Sequence, residues 1–429
     1  MPKSIGTDKT ATEERAGGWP WRGELFFTGT ATLIYLFRSS QYLLKPQLYA
    51  EDGAVWLADA YNLGIRSLII PYNAFFHSAE RVMGYFVALL PLQYAPLILN
   101  ISAWFTFTIF VYYLFSPRTK ILTNIYERVF VLISIGLVAN VDELFFNFSN
   151  SVFLLGATGL LILIASEPRT VYTKVLERFI FTIASFTLVF AWLYLPIVLI
   201  ERYRRKQNAN FYLYCAAGGA ILQTLSYLSS AATRSSATIQ ELLSRYTLLE
   251  IYNQIIIPAV RFARFDVSFE VNRWSGVAIA TMSVGLFLLG TIYVFRIGNK
   301  QIRYLLFFFA AMTIAALANP LTDSLEPVKS MAVTRWGDRY FIFGIIGLGV
   351  VFSKLSFQVL TPVGRNWFLV TFFLFGLFTS WDSGSLFIEK EFRDYRKQFT
   401  EGIVQLELGA PSVTIPINPN GTRMRLQHK

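Results

Sequence analysis

Four groups of residues in this chain have the types and spacing to do chemistry. The first is the adjacent acid pair Glu51–Asp52 in "KPQLYAEDGAVWLADAYNLG" (45–64). Neighbouring residues point in different directions on a helix or an extended chain. One acid can therefore face a reacting group while the other binds a cation or caps the following helix. A plainer reading, a cap beside a solvated surface acid, stands next to it. The second pair, Asp142–Glu143, sits in "ANVDELFFNFSNS" (139–151) among Asn140, Asn147 and Asn150. Two carboxylate pairs lining one cleft offer oxygen ligands to a divalent ion such as Mg2+ or Mn2+; a solvated turn with Asn residues at helix ends is the alternative. His77, Glu80 and Arg81 form the third group, in "PYNAFFHSAERVMGY" (71–85). Arg335, Arg339 and Tyr340, in "VTRWGDRYFIF" (333–343), form the fourth. A guanidinium presents a planar fork that matches phosphate oxygens; at a membrane surface it also reaches lipid headgroups.

Membrane-sized helices must hold these groups. Hydrophobic residues make up 54% of the 429 and charged ones only 15%, against about 25% charge in a soluble domain. Runs such as "LILNISAWFTFTIFVYYLF" (97–115) and "SGVAIATMSVGLFLLGTIYVF" (275–295) reach the ~20 residues that cross a bilayer as a helix. They are continuous rather than alternating, which argues against barrel strands. The chain reads as an all-α polytopic membrane protein. Its net charge of +11 lies in short clusters between the runs, a positive-inside pattern rather than a nucleic-acid surface. The single cysteine, Cys215, excludes an internal disulfide framework and a thiolate metal cluster.

The clusters at 117–120, 201–206 and 296–303 are expected on the cytoplasmic side, with weaker markers at 167–178 and at Lys354 and Arg365. Threading the chain through them gives about eleven spans. These are 24–44, 94–115, 128–140, 151–166, 178–188, 190–203, 211–230, 274–296, 304–319, 340–358 and 366–381. Residues 1–23 read as a cytoplasmic leader to an uncleaved helix. Residues 382–429 read as a short outer-face cap, extended at its close because Pro411, Pro416 and Pro419 forbid a helix there. The outer face receives the loop 45–93, with two interfacial helices near 52–63 and 74–92. Residues 82–92 belong to the second of these rather than to a crossing.

On these residues the chain resembles the GT-C superfamily of membrane glycosyltransferases, and more narrowly a bacterial group within it. The resemblance rests on "YAEDG" (49–53) directly after the first span and on "IPYNAFFHSAER" (70–81), "NVDELFFNFSN" (140–150), "GDRYFIF" (337–343) and the closing "IPINP.G" (415–421). It covers the arrangement of most of the chain. A large soluble C-terminal domain, carried by some members, is not expected, which speaks against an oligosaccharyltransferase-like role.

The resemblance implies a bacterial inner-membrane enzyme acting on the periplasmic face. It implies inverting transfer of a hexose or pentose from a polyprenyl-phosphate donor to a hydroxyl of an envelope glycan or lipid-linked acceptor. Asp52 is the expected general base, with Glu51 the near alternative. Arg81 and Arg339 are expected at the phosphate, with Tyr340, His77, Glu80 and Asn147 around the substrate, and Asp142 and Glu143 at a cation or the acceptor. Two other functions use similar architecture: a polysaccharide polymerase or ligase relying on outer-loop arginines, and a lipid-linked glycan flippase that needs no base.

Overall fold

The computed structural model describes residues 20–137, 147–205, 210–229, 238–256, 274–318, 341–382, 393–419 and 421–428. Within them the chain is helical apart from one two-stranded hairpin. Helices α1 (Pro20–Arg38) and α2 (Ser40–Leu44) fill the first apolar run. The loop after them carries a π-helical segment, Asp52–Leu57, continuing into α3 (Ala58–Leu63), a 3-10 segment, Gly64–Ile69, and α4 (Ser78–Ala88). Next come α5 (Ala95–Phe115), α6 (Ile125–Leu137), α7 (Phe148–Ile164), α8 (Val171–Ser185), α9 (Phe190–Arg205) and α10 (Phe211–Ser229). Two short helices, α11 (Ile239–Leu242) and α12 (Arg245–Ile251), precede α13 (Trp274–Ile297), α14 (Lys300–Ala318), α15 (Ile342–Val359) and α16 (Pro362–Asp382). The chain closes with α17 (Arg396–Glu407) and strands β1 (Ser412–Ile417) and β2 (Thr422–Gln427).

A helix thus occupies the described part of each apolar run. Among the described residues three helices are long and apolar enough to cross a membrane, at Leu92–Phe115, Val277–Ile297 and Lys300–Ala318. Shorter apolar helices lie at Phe148–Ile164, Phe343–Val359 and Pro362–Phe378. The apolar window of α13 is only 17% buried, and Met282, Leu286 and Leu289 project from it. Tyr172 and Val175 on α8 and Leu228 on α10 are also exposed. Apolar faces this extensive suit contact with hydrocarbon rather than water.

The Lys/Arg clusters gather at one end of the bundle. Asn299 donates to the Lys120 carbonyl at 2.8 Å, and Lys300 pairs with Glu201 at 3.0 Å. Arg118 donates through Nε to the Ser166 carbonyl at 3.0 Å and through both Nη atoms to buried Glu177. Lys354 of α15 reaches Glu127 at the start of α6, 2.7 Å away in a buried pair. The loop 45–93, the start of α7 and the ends of α10 and α14 lie at the opposite end.

Helix α4 belongs to that opposite end. Its 11 residues rise about 16 Å, half of a ~30 Å hydrocarbon core, too short to cross one alone. It lies against the π-helical segment through Gly84: a Cβ there would sit 2.7 Å from the Trp56 carbonyl oxygen and 2.9 Å from its carbon. Gly84→Ala is therefore expected to destabilise the protein by about 1–3 kcal/mol through overpacking, read as a lower thermal midpoint in detergent. Gly29→Ala, with nothing within 4 Å of the new Cβ, is the control and should not lower it.

The residues around the three prolines are extended, as a hairpin. β1 and β2 pair antiparallel, Ile415 opposite Met424. Val413, Ile415 and Ile417 point inward, joining Leu48, Leu57, Phe148 and Val152 in one apolar cluster. Helix α17, ahead of the hairpin, is not expected from the sequence; it adds Phe399, Ile403 and Leu406, one stripe at helical spacing, to the same cluster.

Candidate functional site

Asp52 and Glu51 have separate roles. Asp52 is 1% exposed, and its carboxylate accepts from the backbone N–H groups of Phe148 (2.8 Å) and Ser149 (2.9 Å) and from the Ser149 hydroxyl. The indole of Trp56 donates to the same hydroxyl at 2.6 Å. Asp52 therefore caps α7 from a loop far away in sequence. Asn147, the residue at the N-cap position, makes no side-chain cap bond. The expected cap of the helix following Asp52 does not form. Burial pushes the Asp52 carboxyl up to about 7; the three hydrogen bonds oppose that, and the neighbouring Glu51 charge adds to it.

Glu51 lines a cavity of about 490 Å3 at this end of the bundle. Its Oε2 is buried without a hydrogen-bond partner among the described residues. Asp52 is not among the lining residues, so the cavity-facing acid of the pair is Glu51. Around the cavity's polar side stand Ser149 and Asn150 at the start of α7, with Trp56, Tyr72, His77 and Glu80. Trp56 packs edge-on to Tyr72 at 5.1 Å and lies 4.9 Å from the His77 ring. His77 Nδ1 pairs with Glu80 Oε1 at 2.8 Å; His77 Nε2 and Glu80 Oε2 are buried without partners among the described residues. The other side is apolar: Leu188, Val189 and Leu193 around the start of α9, then Met312, Ala315 and Ala316 near the end of α14. Phe75, Trp192 and Tyr227 form an aromatic group there, with ring centroids 5.9–6.4 Å apart.

The loop carrying Tyr72 to His77 is pinned by α10. Gln223 accepts from the Phe76 N–H at 2.9 Å and donates to the Phe76 and Phe186 carbonyls at 3.1 and 3.2 Å. Ser226 donates to the Ala74 carbonyl at 3.0 Å. Asn73 and Ala74 hold φ of 51° and 68°, a left-handed turn that these tethers sustain.

Other expected site residues divide clearly. His77 and Glu80 line the cavity with Glu51. Arg81, expected at a phosphate, is committed elsewhere: buried, it bonds Asp59 at 2.6 Å and the Ile70 carbonyl at 3.1 Å, and its guanidinium lies 4.8 Å from the Trp56 ring. It braces the loop from behind. Asn147 does not line the cavity; both polar atoms of its side chain are buried and unpaired among the described residues. Asp142, Glu143, Arg339 and Tyr340 lie outside the described residues. Among the described residues, no three His, Cys, Asp or Glu side chains come together as a metal site. Ser149, Trp56, Tyr72, Trp192 and Gln223 were not singled out in the sequence. Ser149 sits in the quoted run 140–150.

No protein-family model, curated protein or solved structure matches this chain.

Proposed function

We propose that the chain is an inverting membrane glycosyltransferase of GT-C type. It takes a polyprenyl-phosphate sugar as donor and an envelope glycan or glycolipid as acceptor, on the periplasmic face of a bacterial inner membrane. The observation that supports this reading is the cavity at the end of the bundle opposite the cation clusters. One side offers a carboxylate with an unpaired buried oxygen, among carboxylate, amide and aromatic groups suited to sugar hydroxyls and sugar faces. The other side is built from the ends of apolar helices, where a lipid-linked substrate enters sideways from the bilayer.

In this reading all eleven apolar helical stretches span the membrane, with the cation clusters in the cytoplasm. Glu51 accepts the proton of the acceptor hydroxyl. The acceptor oxygen bonds to the anomeric carbon as the bond from that carbon to the phosphate oxygen breaks, and the phosphate leaves with the electron pair. Because the leaving group is already a stable anion, it needs charge stabilisation rather than a strong acid. With Arg81 engaged by Asp59, Arg339 and Tyr340 are the proposed phosphate contacts, and His77 orients the donor.

The test is transfer in liposomes from a labelled polyprenyl-phosphate hexose to a glycolipid acceptor. The expected product carries the opposite anomeric configuration to the donor, read by NMR. Retention of configuration overturns the mechanism. Movement of labelled lipid across the bilayer with no glycosidic product makes the protein a flippase instead.

A further inference from the structure

We infer that the C-terminal hairpin sets the aim of Glu51, with Asn418 as the positioning residue; this rests on the reading of Glu51 as the base. The segment ahead of Glu51 is bound edge-to-edge to the end of the hairpin. Asn418 N–H donates to the Leu48 carbonyl at 3.2 Å, and Ala50 N–H donates to the Asn418 carbonyl at 2.5 Å. The Asn418 side chain, 1% exposed, donates to Gln47 Oε1 and to the Arg393 carbonyl, both at 3.1 Å. Gln47 Oε1 also accepts from Tyr395 N–H at 2.9 Å. Two backbone bonds and one side-chain bond thus converge on residues 47–50 from one buried asparagine, whose second side-chain N–H anchors it to the Arg393 carbonyl.

Ala50 is where this grip matters. Its φ is 43°, a left-handed conformation that an alanine adopts only under constraint. It is the joint at which extended chain turns into the π-helical segment, and Glu51 is the next residue. Beyond Glu51 the hairpin touches the chain again: Ile417 Cδ1 lies 2.7 Å from where a Cβ on Gly53 would stand. Glu51 is therefore suspended between two points, Ala50 and Gly53, both set by residues 417–418. A carboxylate held this way keeps its position without a hydrogen bond of its own to Oε2. A displacement of about 1 Å at a reacting group costs on the order of a hundredfold in rate.

The test uses the full chain in nanodiscs. Reaction of Glu51 with a hydrophobic carbodiimide, followed by peptide mass spectrometry, reports its placement without any substrate. Transfer from a polyprenyl-phosphate hexose supplies kcat and KM. Asn418→Ala is expected to change the Glu51 labelling rate at least threefold and lower kcat about 10–100-fold, with KM within about threefold. Gln47→Ala, at a partly exposed position, should act in the same direction and carries the test if Asn418→Ala does not fold. Asn62→Ala is the structural control. It removes bonds of 3.0 and 2.9 Å to Arg425 and Gln427 on β2 but leaves residues 47–50 untouched. It should leave labelling and kcat unchanged. If Asn62→Ala and Asn418→Ala lower activity alike, in proportion to lost stability, the positioning role is overturned. The same holds if labelling and kcat are unchanged in Asn418→Ala. Full transfer by Glu51→Gln sinks the base assignment separately, because the labelling arm still reads the clamp.

Discussion

Glu51→Gln lowers kcat for sugar transfer by about 10²–10⁴-fold, the share of a general base, while the thermal midpoint stays within a degree or two of wild type. The two halves of this expectation have different origins. Glutamine keeps the volume and the polar end of glutamate but cannot accept the acceptor's proton at neutral pH. Stability is spared because Glu51 Oε2 has no hydrogen bond among the described residues to lose. Removing its charge also relieves the adjacent Asp52 carboxyl, which that charge pushes upward. The measurement is initial transfer rate alongside a melting curve on the same preparation. Activity within tenfold of wild type removes Glu51 from the mechanism. Loss in Arg339→Ala together with survival in Glu51→Gln transfers the case to a polymerase or ligase that works through an outer-loop arginine.

The helices were legible because a long apolar run has one low-energy solution in hydrocarbon, in which every backbone group is bonded within the segment. Mixed apolar and charged residues point to two interfacial helices near 52–63 and 74–92; the structure has a π-helical segment and α3 over the first and the shorter α4, Ser78–Ala88, within the second. Helix α17 is not legible from the prolines after Gly409, which bear only on the closing residues; three apolar residues at helical spacing, Phe399, Ile403 and Leu406, are enough to dock it. The chemistry was legible only to the level of the pair. Glu51 and Asp52 are adjacent, so periodicity assigns them different directions but not which one faces the cavity. That is decided by Phe148 and Ser149, whose N–H groups claim Asp52 from nearly a hundred residues away. Arg81 carries the same lesson. Its type suits a phosphate, but Asp59 and Trp56, on segments folded back against α4, already occupy it. Donor and acceptor types are written locally; their prior engagement is a property of tertiary contacts.

Asp52 is expected to fail in stability where Glu51 fails in rate. Asp52→Ala leaves the Phe148 and Ser149 N–H groups and the Ser149 hydroxyl without their acceptor in a buried site. At about 1–3 kcal/mol for each unmet buried donor, part of it relieved by water entering the gap, the loss is on the order of 3–5 kcal/mol. Asp52→Asn is milder, about 1–2 kcal/mol, because its carbonyl still accepts while its NH2 meets a donor. The wild-type penalty is also pH-dependent. Burial raises this carboxyl from 3.8 to about 7 on folding, so between those values the folded state holds a proton that the unfolded state has released. Its contribution to stability is fully present below pH ~4, falls as pH rises toward 7, and is flat beyond, a change on the order of 4 kcal/mol. Asparagine does not titrate. The stability difference between wild type and Asp52→Asn should therefore favour wild type most at pH 4–5 and narrow or reverse by pH 8. A gap constant across that range rules out a titrating Asp52. Transfer closes the comparison: Asp52→Asn, where folded, retains most of its activity, and Glu51→Gln, equally folded, does not. The reverse result makes Asp52 the proton acceptor and leaves Glu51 its neighbour.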